Sequence, residues 1–273
     1  MDNLILKTKS LAFNCLFYLK HPTQVYSHFK IRSNLSRISS RQLVDIKNEN
    51  PKVSIIIITY GAFDYIKKCL TSLSKFRPNN CEIIVYDNGS EQSVKEYLSD
   101  QLDSRTIDKL KFSEKNHYFI KGNNEASKLA SPDSDFFLLL NSDVEIFHKD
   151  WLKILLTIHP GKGISSLGTV FLPVPRPDGW CFLVDKKTFR ELGGLNEYFQ
   201  MNWGITDFTA RVLAKGFEVN TVFNPEKLII HYGSKSYLKK SPSSSNSFNF
   251  LSETKVIKLF KGLSVKVYNY QND

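Results

Sequence analysis

The sequence predicts an α/β protein built on a doubly wound, mostly parallel β-sheet flanked by helices. Three observations support this class. Apolar runs lie within the segments 53–60, 82–86 and 135–141, and such runs are typical of strands buried on both faces of a parallel sheet. Segments with helical periodicity alternate with these strands. Polar residues follow directly after the strands, at the edge where open α/β sheets bind their ligands.

Strands and helices alternate regularly in the first half of the chain. The predicted elements are, in order, a strand at 53–60, a helix at 62–75, a strand at 82–86, a helix at 91–102, a short strand at 109–112, a helix starting at 122–126 and a strand at 135–141. Ser90 precedes the second helix and is a suitable N-cap, because serine accepts hydrogen bonds from the free N–H groups of a first turn. The order is that of a parallel sheet whose strands are joined by helices.

The second half of the chain is less regular. The predicted elements are a helix at 150–158, a strand at 164–171, a stiff loop with Pro173, Pro175 and Pro177, an apolar segment at 180–184, a helix from Lys186 to Gly193 and Gly194, a helix at 207–215, and strands at 217–223 and 228–230. The paired glycines fit the left-handed residue that commonly ends a helix.

We expect three parts in the chain: a basic helical leader (1–50), a central domain (51–240), and a linker with a basic amphipathic C-terminal segment (241–273). The leader either lies in the plane of an anionic membrane surface or packs on the domain as a helical arm. Its apolar run at 11–19 is too short to span a membrane and has no small-residue cleavage site after it. The expected location is the cytoplasm, with peripheral attachment to the inner face of the plasma membrane left open.

Composition narrows the function classes. The 273 residues are 41% hydrophobic and carry a formal net charge of +10, which favours anionic partners. The basic residues are dispersed and no nucleic-acid-binding motif is present, so we expect no nucleic acid partner. The four cysteines show no CxxC spacing, which argues against a zinc site or a disulfide framework and favours a reducing compartment.

The stretch at 135–145 is the centre of the functional argument. Its apolar run stops abruptly at Asn141-Ser142-Asp143. A carboxylate at the carboxyl end of a central strand can offer hard oxygens to Mg²⁺ or Mn²⁺. The alternative is a simple turn, for which Asn, Ser and Asp are ordinary residues.

Seven motifs together resemble one known family. In order they are VSIIIITY, IIVYDNGS, NHYFIKGNNEASKLA, FFLLLNSDVEI, GWCFLVDKKTFRELGGLNEYF, DFTARVLAKGFEV and HYGSKS. The sequence resembles the family 2 inverting glycosyltransferases, notably the bacterial rhamnosyltransferase-like members, over about residues 53–236. This resemblance implies a GT-A fold, which has a Rossmann-like and mostly parallel sheet, here with helical N- and C-terminal appendages.

The resemblance also implies roles for individual residues that alone would be read as turn, cap or core residues. Those expected to bind the nucleotide sugar are Thr59, Tyr60, Asp87, Asn88, Lys121, Asn123, Asn124, Asn141 and Ser142. Asp143 stands at the DxD-like position as a ligand of Mn²⁺ or Mg²⁺, and His231 would complete the metal or diphosphate site. Trp180 and Trp203 either line an acceptor pocket or pack in the core.

The sequence departs from the family at its acidic pair. Members normally carry Glu-Asp before an Asp-Leu-x-x-Arg helix start, and one of these acids is the usual general base. Gly204 and Ile205 stand there in this chain, and neither accepts a proton. Three explanations compete. Asp207 acts as the base, although an acid at a helix start is favourable without any catalytic role. Otherwise another carboxylate such as Asp178 is recruited, or the protein binds the nucleotide sugar but transfers the sugar poorly.

The function implied is transfer of a hexosyl or rhamnosyl group, with inversion, from a UDP- or dTDP-sugar to a glycan or lipid-linked glycan in surface polysaccharide synthesis. The leader and the C-terminal segment would help the enzyme meet an anionic membrane. The rival hypothesis is a catalytically weakened nucleotide-sugar-binding partner of a polysaccharide assembly complex.

Overall fold

The computed structural model describes residues 36–39, 51–201, 203–233 and 251–271. The chain divides into two compact units, 1–36 and 37–273, and the fold below is that of the second. The predicted helical pieces of the leader and the linker at 241–249 lie outside the described residues. No helix in the described ranges is both long and apolar enough to cross a membrane.

The described elements follow the predicted alternation. The strands are β1 (Ser36–Ser39), β2 (Val53–Thr59), β3 (Cys81–Asp87), β4 (Lys109–Phe112), β5 (Phe136–Asn141), β6 (Val144–Ile146), β7 (Gly163–Leu167), β8 (Thr169–Val170), β9 (Arg176–Pro177), β10 (Cys181–Asp185), β11 (Glu218–Phe223), β12 (Ile229–His231) and β13 (Lys266–Gln271). The helices are α1 (Phe63–Lys75), α2 (Gln92–Asp103), α3 (Tyr118–Ser127), α4 (Trp151–Ile158), α5 (Lys186–Glu191), α6 (Trp203–Ala214) and α7 (Glu253–Leu259).

A nine-stranded sheet in the order β1-β13-β11-β7-β10-β5-β2-β3-β4 forms the core. Strands β5, β2, β3 and β4 pair in parallel, as do β7, β11 and β13. Strand β10 joins the two parallel sets and is antiparallel to both of its neighbours. The predicted mostly parallel sheet is therefore confirmed, and the strands of both parallel sets end at one edge.

The continuous apolar runs have the expected cause, which is burial on both faces. Along β2, Ile55 and Ile57 pack into the apolar core that contains Ile66 of α1. Ile56, between them, faces the opposite core, which contains Ile120 of α3 and Phe208 of α6. Successive side chains of a strand point to opposite faces, so a strand between two helical layers must be apolar throughout.

Several predicted boundaries are wrong, and polar side chains explain two of them. Helix α2 has Glu91 rather than Ser90 at its N-cap, because the Ser90 hydroxyl donates to Asp87 and accepts from the N–H of Gly61. The strand predicted at 164–171 is interrupted at Gly168, which has a φ of +93°. A Cβ at this glycine would lie 2.6 Å from Cε2 of Trp180, so the indole ring needs a glycine there.

The helices α3 and α6 begin four residues before their predicted starts. The C-terminal segment also differs from the expected amphipathic helix. Within its described residues, 251–271, the α-helix covers 253–259 alone, and β13 then joins the main sheet parallel to β11. The buried residues Val267 and Tyr270 are three positions apart, a spacing that does not predict a strand from periodicity.

Candidate functional site

The predicted site residues of β2, β3 and β5 meet at the carboxyl edge of the sheet. Thr59 and Asp87 are directly paired across β2 and β3, and Asn141 is paired with Ile58 across β2 and β5. The small ribbon of β6 and β12 then places His231 opposite Val144, next to Asp143. Four separate stretches of sequence are thus brought to one edge, as the strand order requires.

Asp87 is a fully buried carboxylate whose oxygens are used within its own loop. Oδ1 accepts hydrogen bonds from the hydroxyls of Thr59 (2.9 Å) and Ser90 (2.5 Å), and Oδ2 accepts from the N–H groups of Gly89 (3.2 Å) and Ser90 (2.9 Å). Its relative exposure is 0%. In this arrangement Asp87 fixes the loop after β3, and its role in binding the nucleobase or ribose of the nucleotide sugar stays a prediction.

Asn88 joins the same loop to the start of α3. Its Oδ1 accepts from the N–H of His117 at 3.2 Å, and its Nδ2 donates to the carbonyl of Tyr118 at 3.1 Å. Gly122 makes this approach possible, since a Cβ there would lie 3.1 Å from Cγ2 of Ile58. Asp87 and Asn88 together therefore hold α3 against the carboxyl ends of β2 and β3.

The remaining polar residues of α3 differ in accessibility. Lys121 is exposed, whereas Asn123 and Asn124 lie inside the helix rather than at its cap. Asn124 binds the turn after α5, donating to the carbonyl of Leu195 (2.8 Å) and accepting from its N–H (3.0 Å). Asn123 donates to the carbonyl of Phe119, and its Oδ1 has no partner among the described residues.

Asp143 and His231 form the most compact polar cluster at this edge. Oδ1 of Asp143 lies 3.2 Å from Nε2 of His231, and Nδ2 of Asn141 lies 3.1 Å from the same nitrogen. The indole of Trp180 stacks on the imidazole, with ring centroids 5.2 Å apart and an interplanar angle of 14°. Ser142, between the two polar residues, is buried.

The donor set of this cluster fits a divalent cation that arrives with phosphate. Two ligands bound side by side to a small cation at about 2.1 Å lie about 3 Å apart in octahedral geometry, close to the separation of Asp143 and His231. Oδ1 of Asn141 is buried without a hydrogen-bond partner in the described part of the chain. The described part of the chain contains no group of three or more His, Cys, Asp or Glu side chains that could hold a metal ion. Asp143, His231 and Asn141 therefore resemble those metal sites in which the protein supplies few ligands and the phosphates of the substrate supply the others.

Gly204 and Ile205 stand where the family pattern places acids, and both are packed closely. A Cβ on Gly204 would lie 2.7 Å from Cγ1 of Ile120. Ile205 is buried and contacts the loop at Gly179, where a Cβ would lie 3.1 Å from Cγ1 of Ile205. The space normally used by the acidic pair is therefore filled by apolar side chains.

Asp207 lies in the second turn of α6, not at the helix start that the sequence suggested. Its Oδ2 accepts from Nε of Arg211 at 2.8 Å. The other guanidinium nitrogens of Arg211 donate to the carbonyls of Leu192 (2.8 Å) and Gly194 (2.9 Å). Through Arg211, Asp207 thus helps to hold the turn that follows α5 against helix α6. This structural role does not favour the predicted role of Asp207 as a general base.

Asp178 stands in the loop between β9 and β10 and is the other carboxylate near the cluster. Its pKa is raised, chiefly by burial, while the charges of His231 and Arg176 and a hydrogen bond from Trp180 oppose that rise. Trp180 is itself buried, whereas Trp203 is partly exposed, with the Arg176 guanidinium 5.9 Å from its ring centroid. One face of the Trp180 ring is covered by His231, so Trp180 packs within the site.

Comparison with known proteins shows what this part of the chain is similar to. Residues 54–175 match the family described as Glycosyl transferase family 2. Over these residues, which make up less than half of the chain, the sequence is similar to the family 2 glycosyltransferases. The chain is 26% identical over 204 residues to the low-salt glycan biosynthesis hexosyltransferase Agl10 of Haloferax volcanii, an alignment covering 61% of this chain and 63% of that protein.

The fold of the domain also matches a solved structure, the mannosyltransferase PcManGT of Pyrobaculum calidifontis in complex with GDP-Man and Mn²⁺. The TM-score is 0.60 at 13% identity, and the match covers 80% of this chain and 66% of that one. At this identity the likeness concerns the fold alone, and it confirms the predicted GT-A type. The chain spans slightly less than two thirds of each of these two proteins.

Proposed function

We propose that this chain is a metal-dependent, inverting glycosyltransferase that moves a sugar from a nucleotide-diphosphate donor to a glycan or lipid-linked glycan. The observation that carries the proposal is the Asp143–His231 pair, 3.2 Å apart, at the carboxyl edge of the sheet of a domain similar to the family 2 glycosyltransferases. A carboxylate and an imidazole in this position suit a cation bound together with a diphosphate.

The residues of the chain have distinct parts in this proposal. Asp143 and His231 would hold Mn²⁺ or Mg²⁺, which when bound neutralises the charge that develops on a departing diphosphate. Thr59, Asp87 and Asn88 shape the loop beside which the nucleotide would lie. Holding donor and acceptor in line would supply a large part of the rate acceleration.

The nucleotide and the sugar are open within this proposal. The sequence suggested UDP or dTDP, and the solved structure with the same fold was obtained with GDP-Man and Mn²⁺. Binding of UDP, dTDP and GDP should therefore be measured by calorimetry with and without Mn²⁺, followed by release of sugar from the corresponding donors. Micromolar binding of one nucleotide that depends on Mn²⁺, with turnover of its sugar conjugate, is the expected result. Absence of binding by all three would contradict the proposal.

A second candidate function is a nucleotide-sugar-binding partner that transfers poorly. It is favoured by the apolar filling around Gly204 and Ile205 and by the ion pair that engages Asp207. Metal-dependent nucleotide binding without turnover of any donor or acceptor would support this candidate over the enzyme.

Association with an anionic membrane remains part of the proposal through the basic leader at 1–50. In the described C-terminal part, α7 is only seven residues long and β13 belongs to the sheet, so the leader is the segment to test. Flotation should show binding to anionic but not to neutral liposomes, and this binding should be lost when residues 1–35, which precede β1, are deleted. Equal binding of both proteins would contradict a role for the leader.

A further inference from the structure

A groove lies on the outer surface of the protein, between helix α1 and strand β6. It encloses about 380 Å³, which falls within the range of ~300–1,000 Å³ that is usual for sites of small ligands. Helix α1 contributes Lys67, Lys68 and Lys75 to its wall, and the β6 side contributes Glu145 and Phe147. The groove therefore combines several positive charges with an aromatic side chain.

The wall formed by α1 carries lysines whose ammonium groups lie over aromatic rings. Lys68 and Lys75 are two helical turns apart and are both exposed. The ammonium of Lys68 is 4.9 Å from the ring centroid of Tyr232, and that of Lys75 is 5.0 Å from the ring centroid of Phe76. Among the described residues, no carboxylate lies within ion-pair distance of either ammonium group. Within that part of the chain, both lysines are therefore available to an anionic ligand.

The carboxylate in the wall of the groove is engaged by a neighbouring tyrosine. Glu145 accepts a hydrogen bond from the hydroxyl of Tyr232, and the ring of Tyr232 packs against that of Tyr65 on α1, with centroids 5.2 Å apart. Three lysines and one glutamate line the groove, so its net charge is positive. A lysine ammonium binds phosphate as a point charge, and the groove is therefore complementary in charge to a phosphate group.

Phe147 gives the groove an apolar edge for which a dissolved anion has no use. Its relative exposure is 45%. Its backbone is held in place, because the N–H groups of Phe147 and His148 both donate to the carbonyl of Leu228, at 2.8 and 3.3 Å. Proteins that rest on anionic lipid combine lysines with exposed aromatic side chains, since the ammonium groups meet the phosphates while the rings enter the boundary with the acyl chains. The ligand that suits both features of the groove is therefore a phosphate attached to a lipid.

We propose that this groove binds the headgroup phosphate of an anionic phospholipid and is a membrane contact of the chain in addition to the leader. Lys68 and Lys75 bind the phosphate, and Phe147 enters the bilayer interface beside it. Stable attachment to a membrane needs two contacts, so loss of the leader abolishes flotation even when the groove is intact. Because Glu145 follows Asp143 by two residues of chain, about 7 Å, the contact brings the candidate cation site close to the lipid surface. The inference does not depend on catalysis and holds even if the protein transfers no sugar.

The test measures binding of the full chain to vesicles of phosphatidylglycerol mixed with phosphatidylcholine, at one ionic strength. The double variant Lys68→Gln/Lys75→Gln should raise the apparent Kd for these vesicles at least tenfold, because each lysine near an anionic surface contributes about fivefold. The matched control, Lys187→Gln/Lys215→Gln, removes the same charge from exposed positions in α5 and directly after α6. These helices pack on the opposite face of the sheet from α1, so the Kd of the control should change less than about threefold.

A third variant, Phe147→Ser, separates a lipid from a dissolved phosphate. It should weaken binding to the anionic vesicles at least threefold, because the ring no longer leaves water. Binding of inorganic phosphate to this variant and to the wild type, measured by calorimetry, should be equally weak.

The remaining outcomes would overturn the proposal. An unchanged Kd in Lys68→Gln/Lys75→Gln would show that the groove does not contact the membrane. Equal losses in this variant and in the control would show a general attraction between charges instead of a site. Tight binding of inorganic phosphate that depends on Lys68 and Lys75, with vesicle binding unaffected by Phe147→Ser, would assign the groove to a dissolved anion. All of the substituted side chains are exposed, and equal melting temperatures confirm that each variant is folded.

Discussion

Substitution of Gly204 by alanine tests whether the place of the missing acid is closed. The new methyl group would lie 2.7 Å from Cγ1 of Ile120 and in still closer contact with its Cδ1, whereas ordinary van der Waals contacts of carbon atoms are about 3.5–4.0 Å. Ile120 has 0% relative exposure, so its side chain cannot move into solvent. The methyl group must therefore be accommodated by strain in the core.

The expected change in the free energy of unfolding of Gly204→Ala results from two opposing effects. Overpacking of a core by one methyl group costs about 1–3 kcal/mol, whereas replacing glycine by alanine within a helix gains about 1 kcal/mol. Gly204→Ala should therefore be destabilised by up to about 2 kcal/mol, which corresponds to a loss of up to about 8 °C in Tm for a domain of this size. Ile120→Ala alone should cost about 2–5 kcal/mol. In the double variant the methyl group enters the space left by Ile120, so the two effects should fall short of their sum by about 1–3 kcal/mol.

Urea denaturation of the wild type, both single variants and the double variant gives this coupling energy directly. The matched control pairs Gly204→Ala with Ile66→Ala, because Ile66 is a buried isoleucine of the opposite core. That pair should be additive within about 0.5 kcal/mol. If the destabilisations of Gly204→Ala and Ile120→Ala also added up in their double variant, the reasoning would be refuted, since position 204 would then have room for a side chain.

Two further predictions concern titratable groups. Burial of Glu82 favours its neutral form, but hydrogen bonds from Lys109, Ser131 and Ser54 outweigh this and lower its pKa to about 2. Because the folded pKa is the lower one, the stabilisation is present above pH about 4.5 and is lost as pH falls toward about 2; after discounting for solvent it is of order 1–2 kcal/mol. The stability difference between wild type and Glu82→Gln should shrink over this range, and a constant difference would contradict the account. Burial also raises the pKa of the Cys69 thiol to about 12 and raises that of Cys181 further. Neither thiol should react with a disulfide reagent at pH 8 until the protein unfolds, because the thiolate is the reactive form; rapid labelling of either residue in the native protein, mapped by mass spectrometry, would show that the core is open.

The sequence predicted the fold well where local pattern and burial act together. The central residues of β2, β3 and β5 are apolar because both faces of these strands are covered, and this property is visible without the structure. The polar residues after these strands were predicted to converge, and the strand order brings them to one edge. The start of α3 was less predictable, since its N-cap residue is His117, which makes no side-chain capping hydrogen bond.

Long-range contacts explain what sequence patterns missed in the site. The role of Asp207 could not be decided from sequence, because its partner Arg211 is also tied to carbonyl groups after α5. The hydrogen bonds of Arg176 to the hydroxyl of Thr206 and the carbonyl of Leu172 were missed for a similar reason, since they depend on the path of a proline-rich loop. The amide of Asn124 binds the turn at Leu195, far away in the sequence, and no local pattern marks that contact.

The central claim is that Asp143 and His231 hold a divalent cation together with a nucleoside diphosphate. Titration of Mn²⁺ followed by electron paramagnetic resonance, with and without the bound nucleotide, tests it most directly. In the wild type the nucleotide should tighten Mn²⁺ binding at least tenfold, and by linkage Mn²⁺ should tighten nucleotide binding by the same factor. Asp143→Asn, folded as judged by its Tm, should lose this coupling. Equal Mn²⁺ affinity with and without nucleotide in the wild type, or undiminished coupling in Asp143→Asn, would contradict the claim.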